Sequence, residues 1–245
     1  MKSTVPPIRL LVAGRLVVGL CSALLAFPLT VAWRTDPDQR LIERGNHAAQ
    51  VIEDLVAQAD HAPPQSLLRR AVCVAAVPEV VQVGLGGIGG RAGFGLVSCR
   101  TGNGWSYPVF VGLKGGSFGP QIGAQSTDVV LVFMGSNSVR LIAGNSFDIG
   151  AQASVAAGPV GRNLSAETDY RLSAEIYSYS KARGLFAGIS IAGTKWEIDA
   201  QANRQVYGPK GSDVATLLAT DGATAPAVGQ PFLRSLRKNV GSGSP

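Results

Sequence analysis

Fourteen of the forty residues from Gly84 to Gly123 are glycine, and no other feature restricts this chain as strongly. Each glycine inside a helix costs about 1 kcal/mol relative to alanine, so a helix does not survive here. No Gly-X-Y period runs through the stretch, which excludes a collagen-like triple helix. The residues between the glycines alternate instead. Trp105, Tyr107, Val109, Val111 and Leu113 take one side of a two-residue period, and Ser106, Pro108, Phe110 and Gly112 take the other. Glycine within strands permits sharp coiling and close backbone approach. Pro108 lacks a backbone donor, which marks an edge or a bulge. Val129 to Met134 is an unbroken apolar run and reads as a strand buried on both faces; Gly93–Arg100, Phe147–Ala156, Arg171–Ser180 and Leu185–Ala192 are further strands. The expected fold is α+β and β-rich. Its antiparallel strands curl into a barrel or sandwich, with helices packed on the N-terminal side and one near the C-terminal end.

The same glycines produce a G-x-G-x-x-G match at Gly84-Leu85-Gly86-Gly87-Ile88-Gly89. A dinucleotide site needs a helix directly after it, whose N-terminus faces the pyrophosphate. Here strand alternation follows, and no acid stands where a ribose would want one. The match is a product of glycine density.

Residues 1–32 read as a separate export segment. Lys2, Arg9 and Arg15 precede an uncharged apolar run from Leu16 to Ala32, and Thr30-Val31-Ala32 offers small residues for cleavage before Trp33. The run is long for a signal and short for a membrane span, so a cleaved signal and a retained anchor both fit. Either one places the rest of the chain outside the cytoplasm, periplasmic or anchored. Cys21 follows Leu20, which is not the small residue that lipoprotein processing wants. Formal net charge is +6, but beyond this segment 19 basic residues face 16 acidic ones, a net of about +3. That balance lacks the dense basic stripe of a nucleic-acid binder.

Residues 33–208 read as a single domain, and 209–245 as a mostly disordered tail with one short helical stretch at Asp213–Ala219. Asp36, Pro37 and Gln39 form an N-terminal helix signature. Leu41, Ala48 and Leu55 then recur every seven residues, extending a helix to about residue 60. Its polar face carries Glu43, Glu53 and Asp54, so the apolar face belongs against the core rather than on a membrane. Pro63-Pro64 ends it, a short helix from Gln65 to about Val77 follows, and Glu197 to Tyr207 is helical again.

Chemistry-bearing residues are few. With 46% apolar and 16% charged residues the chain is ordered, yet it holds two histidines and three cysteines, and it calls for no cofactor or metal. His47 and His61 both lie on the helical approach, and Asp128 reads as satisfied by neighbouring donors rather than catalytic. Cys73 and Cys99 either form a disulfide or remain two buried small side chains. Asn163-Leu164-Ser165 fits a glycosylation sequon. Between Glu79 and Asp128 there is no carboxylate, which leaves Arg91, Arg100 and Lys114 without local acidic partners. That is either an anion-facing surface or a sparsely charged wall.

Five stretches taken in order resemble the SYLF domain, a lipid-binding module of bacterial envelope proteins and eukaryotic membrane-traffic proteins. They are Gly84–Gly95; Gly104-Trp105-Ser106-Tyr107-Pro108; Gln121–Val130; Ala156–Arg162; and Tyr177-Ser178-Tyr179-Ser180-Lys181-Ala182-Arg183-Gly184-Leu185-Phe186-Ala187-Gly188. The resemblance implies one β-rich domain that binds anionic phospholipid, phosphoinositide in eukaryotic relatives, and is not an enzyme. Some relatives bind actin; an exported domain would not meet it, so actin is not expected as a partner. Basic side chains would contact headgroup phosphates, and apolar surface would add affinity. Lys181 and Arg183, two apart on a strand, lead the lipid-binding candidates, followed by Lys114 and Arg162. The competing reading is an envelope structural or protein-interaction module without dependence on lipid charge.

Overall fold

The computed structural model describes residues 37–58, 60–85, 88–118, 123–161, 174–182 and 184–241. The expected export segment, the sequon, Arg162 and Arg183 lie outside them. All described residues fall within one unit, Thr35–Pro245.

The near-continuous apolar run opening β1 (Cys73–Leu85) sets the layering. Cys73, Ala75 and Val77 face one core, while Val74 and Ala76 face another. β5 (Gly123–Phe133) repeats the split, with Val130 and Val132 on one side and Val129, Leu131 and Phe133 on the other. Strands apolar on both faces belong at the middle of a covered sheet. The other strands are β2 (Ile88–Thr101), β3 (Gly104–Trp105), β4 (Val109–Phe118), β6 (Ser146–Ile149), β7 (Val155–Ala157), β8 (Ile176–Ala182), β9 (Leu185–Gly188) and β10 (Thr194–Ile198). The sheet runs β6-β10-β4-β2-β1-β5-β8-β7, with β3 beside β2 and β9 beside β8. Pairing is antiparallel except between β7 and β8.

The sheet curls into a half-barrel. β10 and β5 stand four strand spacings apart, about 19 Å in a flat sheet, yet the Trp196 and Phe133 rings meet edge-on at 5.5 Å. Phe147 stacks on the other side of Trp196 at 5.8 Å. Helices α3 (Ser138–Ala143) and α5 (Val214–Ala219) add Ile142, Val214, Leu217 and Leu218 to this concave core. The opposite face carries α1 (Pro37–Ala57), α2 (Gln65–Arg70) and α6 (Gln230–Asn239). α1 buries Leu41, Ala48, Ile52 and Leu55, as its periodicity required. Glycine is indispensable at position 95, where an added Cβ would lie 2.1 Å from the Ala76 carbonyl oxygen. Beside it the β1–β2 register shifts between Ala76 and Val81.

Several expectations need correction. Trp105 to Leu113 is not one strand: pairing stops after Trp105 apart from a bridge at Ser106, Pro108 breaks the ladder, and β4 starts at Val109. Once under way β4 is interior, between β10 and β2. Phe147–Ala156 splits into β6 and β7 around a turn where Gly150 has φ 93°. Thr194–Ile198 is a strand, so the following helix α4 begins only at Ala200 and runs to Tyr207. Asp199 caps it, its carboxylate accepting from Ala202 N–H at 3.0 Å. The tail from 209 onward is not mostly disordered over its described part. Phe232, Leu233 and Leu236 of α6 and Val240 just beyond it are buried in the α1 core, and Ser235 Oγ donates to Ala49 O at 3.0 Å.

Candidate functional site

Lys181, the leading sequence candidate, is committed elsewhere. It shares its β8 face with Tyr177 and Tyr179, both buried on the α1 side. That direction carries its ammonium to Asp54 of α1, with which it forms a hydrogen-bonded ion pair. Burial alone would raise the Asp54 carboxyl, but hydrogen bonds from Lys181 and Gln50 outweigh it and hold it below the ordinary carboxylate range. Asp128 sits directly across the strand pair from Lys181, and a further carboxylate there makes the surroundings hostile to an anion. Tyr179, in the same motif, donates to Pro159 O at 3.0 Å, and burial raises its phenol. Tyr177 to Ser180 of this motif are therefore core strand.

Cys73 and Cys99 face each other across β1 and β2 and are joined by a disulfide. Asp128 is half-buried and accepts the Glu79 N–H at 3.1 Å. Glu79 itself has φ 50°, in the left-handed region, where β1 bulges. His47 and His61 are exposed. Arg100 is no surface cation. Its guanidinium donates to the carbonyls of Ala71 (2.9 Å), Leu68 (3.3 Å), Val240 (3.1 Å) and Gly241 (3.1 Å) and lies over the Trp105 ring.

The site that emerges lies at the other end of the central strands. Burial stops along one line: Val80 in β1, Gly93 in β2, Leu113 in β4 and Val129 in β5. Beyond that line the four strands continue as an arm in the order β4-β2-β1-β5. Val81–Leu85 alone reaches about 16 Å at ~3.3 Å per residue. Among arm residues whose side chains are described, none is buried. The register gives the arm two unlike faces. Val81, Val83, Ile88, Ala92 and Ala124 share one, the face that nearer the core meets α1. Ile88 is 72% exposed, and Val81 and Val83 are about half exposed. The opposite face carries Gln82, Arg91 and Gln125, with Gln125 donating to Gln82 at 3.2 Å. The valines and the isoleucine stand on the two inner strands, so the apolar centre is flanked by small residues. From Val81 to Thr127 the arm carries no carboxylate; Asp128 stands at its root, on the face of Ala124 and Ser126.

Cations border the apolar face. One row crosses six strands in register: Asp148, Lys195, Lys114, Ala92, Val81, Ser126. Two lysines directly opposite one another repel. Glu197 pairs with Lys114, whereas Lys195 is exposed and has no ion-pair partner among the described residues. Lys114 therefore stands where an anion could meet it, but its companion is Lys195 rather than Lys181. On the α1 side a groove of about 410 Å³, lined by Arg40, Arg44 and His47 and also by Glu43 and Glu79, opens onto Phe94 and the arm's Val81 and Ala92. Arg44 is fixed there by Asp199 at 2.8 Å and by the Phe94 ring at 5.0 Å. The sequence showed the alternation of Val81 and Val83 but not that nothing covers them.

Comparison with known proteins agrees with this architecture. The family model described as Ysc84, Las17-binding protein actin regulator, matches residues 114–239, from the root of the arm to the end of α6 and just over half of the chain. The chain is 34% identical over 167 residues to SH3 domain-containing YSC84-like protein 1 of Xenopus laevis, covering 66% of this chain and 50% of that protein. It is 30% identical over 202 residues to Protein YSC84 of Saccharomyces cerevisiae, covering 79% and 42%. The human YSC84-like protein 1 is 37% identical over 119 residues. The chain thus spans half or less of the length of these curated relatives. These matches join with the five motifs and the curled sheet: the chain belongs to the Ysc84 family, the family of the SYLF domain.

Proposed function

We propose that this chain is a non-enzymatic module that binds anionic phospholipid headgroups, exported and acting at the outer face of a membrane. The observation that carries the reading is the row in which Lys195 and Lys114 adjoin the exposed apolar face of an arm without a carboxylate from Val81 to Thr127. Glu197 pairs with Lys114, and Asp148 stands across from Lys195 without forming an ion pair with it, so Lys195 is the cation of the pair open to an external anion. A phosphate-bearing surface supplies that anion together with an apolar layer beside it. Each lysine near an anionic surface contributes about 1 kcal/mol, so losing both weakens binding by about 30-fold.

The test is co-sedimentation with vesicles of phosphatidylcholine alone or mixed equally with phosphatidylglycerol, at low and high salt. The wild type is expected to pellet with the charged vesicles at low salt and to be released by salt. A Lys114→Glu, Lys195→Glu double variant should lose at least 30-fold in affinity, while Lys181→Met, already paired to Asp54, should bind like the wild type. Equal binding to both vesicle types removes the reading.

The family description favours a second one. Its name refers to a Las17-binding protein and an actin regulator, and a relative's name carries an SH3 domain. The expectation against actin rested on export, and the family description gives it no support. On this second reading the arm receives a protein, and binding does not depend on lipid charge.

A further inference from the structure

We infer that the arm is a membrane-inserting blade: its Val81–Val83–Ile88 face enters the acyl boundary of the bilayer, and the Lys114–Lys195 row marks the phosphate level. This rests on the lipid-binding reading but goes beyond headgroup contact, since it fixes orientation and depth.

Three observations carry it. First, the arm has no covering layer. A four-stranded sheet is normally held by a packed apolar face, yet here the apolar face is the one left bare, with Ile88 72% exposed. Second, the distribution of side chains fits an interface between water and hydrocarbon. The apolar residues occupy the inner strands β1 and β2, Arg91, Gln82 and Gln125 point to the opposite face, and the lysines stand at the root, away from the Ile88 end. Third, the backbone under the apolar centre can tolerate the environment, while the outer edges, β4 beyond Gly115 and β5 before Asp128, have no outer strand partner among the described residues and keep to the hydrated headgroup level. The N–H and C=O groups of the inner strands are paired on both sides, from Gly89 to Ala92 and from Val81 to Gly84. Paired backbone is what a low-dielectric medium demands.

A partner protein would also want a bare apolar face. It would not require the charged groups of that face, Lys114 and Lys195 with Glu197, Asp148 and Asp128 beside them, to stand at its root with none toward Ile88. Charges held at one level with an apolar stretch beyond them fit a surface whose phosphates lie in one plane, above an apolar layer.

The experiment uses the full chain with the same two vesicle types, now carrying lipids brominated near the top of the acyl chain. Tryptophan is placed at the blade face by Ile88→Trp, or at the opposite face by Gln125→Trp. Trp33→Phe is made in both variants, and the buried Trp105 and Trp196 then give a constant background. Ile88→Trp is expected to blue-shift and be quenched on charged vesicles, and Gln125→Trp to be unchanged. A Val83→Asp, Ile88→Asp variant, altered only at exposed positions, should melt with the wild type and bind at least tenfold more weakly. Equal quenching at both positions, or none, with charged-vesicle binding retained, overturns insertion and leaves headgroup binding standing. Absence of wild-type binding to any vesicle overturns both. A stable dimer that the double aspartate variant dissociates, with no vesicle binding, assigns the face to a second copy and also overturns insertion.

Discussion

Replacing Arg100 with methionine is expected to cost about 4 kcal/mol of stability, because it takes a charged donor from four carbonyls at the ends of two helices at once. Among the described residues, Leu68 O then keeps only the Ala71 N–H and Gly241 O only the Trp105 indole. The last four carbonyls of any helix have no partner within it. Here the guanidinium collects Leu68 and Ala71 from the end of α2 and Val240 and Gly241 from the end of α6, all within 3.3 Å. Trp105 adds its own indole N–H to Gly241 O at 2.8 Å. One side chain at the end of β2 thus ties two helices that are far apart in sequence. Burial lowers the Arg100 pKa, but its ordinary value is so high that the charge persists. Arg100→Lys keeps a charge and loses the planar fork, so it should recover less than half of the loss. Urea unfolding measures this: the midpoint falls with an unchanged slope, and melting drops by about 10 °C. A loss under about 1 kcal/mol would show that water replaces the clamp.

The second large effect concerns Cys73 and Cys99. Their bond closes a loop between residues 26 apart in sequence, and both side chains are fully buried. Constraining the unfolded chain over such a loop is worth about 3 kcal/mol. The pair also ties the end of β2 to the start of β1, next to the Arg100 clamp. A Cys73→Ala, Cys99→Ala variant should therefore melt about 6–12 °C lower in calorimetry. A variant melting with the wild type would mean that the bond contributes nothing beyond two buried apolar atoms.

Much of this was legible in the sequence where the pattern was local. The alternation between glycines gave strands, the run from Val129 gave a strand apolar on both faces, and Leu41, Ala48 and Leu55 gave the buried face of α1. What escaped depends on partners distant in sequence. Lys181 looked like a free cation because Asp54 lies 127 residues away. Arg100 looked like an exposed charge because its acceptors are backbone carbonyls, which no composition reveals. α6 was hidden because Phe232, Leu233 and Leu236 sit in a region rich in glycine, serine and proline, and a helix that short is held by packing rather than by propensity. Alternation likewise places Val81 and Val83 on one face without saying whether anything lies over it, and only the hairpin register adds Ile88 to them. The departure from local rules at the arm is the kind expected at functional sites.

The most direct test of the account is amide hydrogen exchange of the full chain with and without vesicles containing phosphatidylglycerol. Slowed exchange is expected in Val81–Gly84 and Gly89–Ala92, with Tyr177–Lys181 unchanged. Protection confined to β8 and the polar side of α1, with the arm exchanging as it does in free solution, would contradict it.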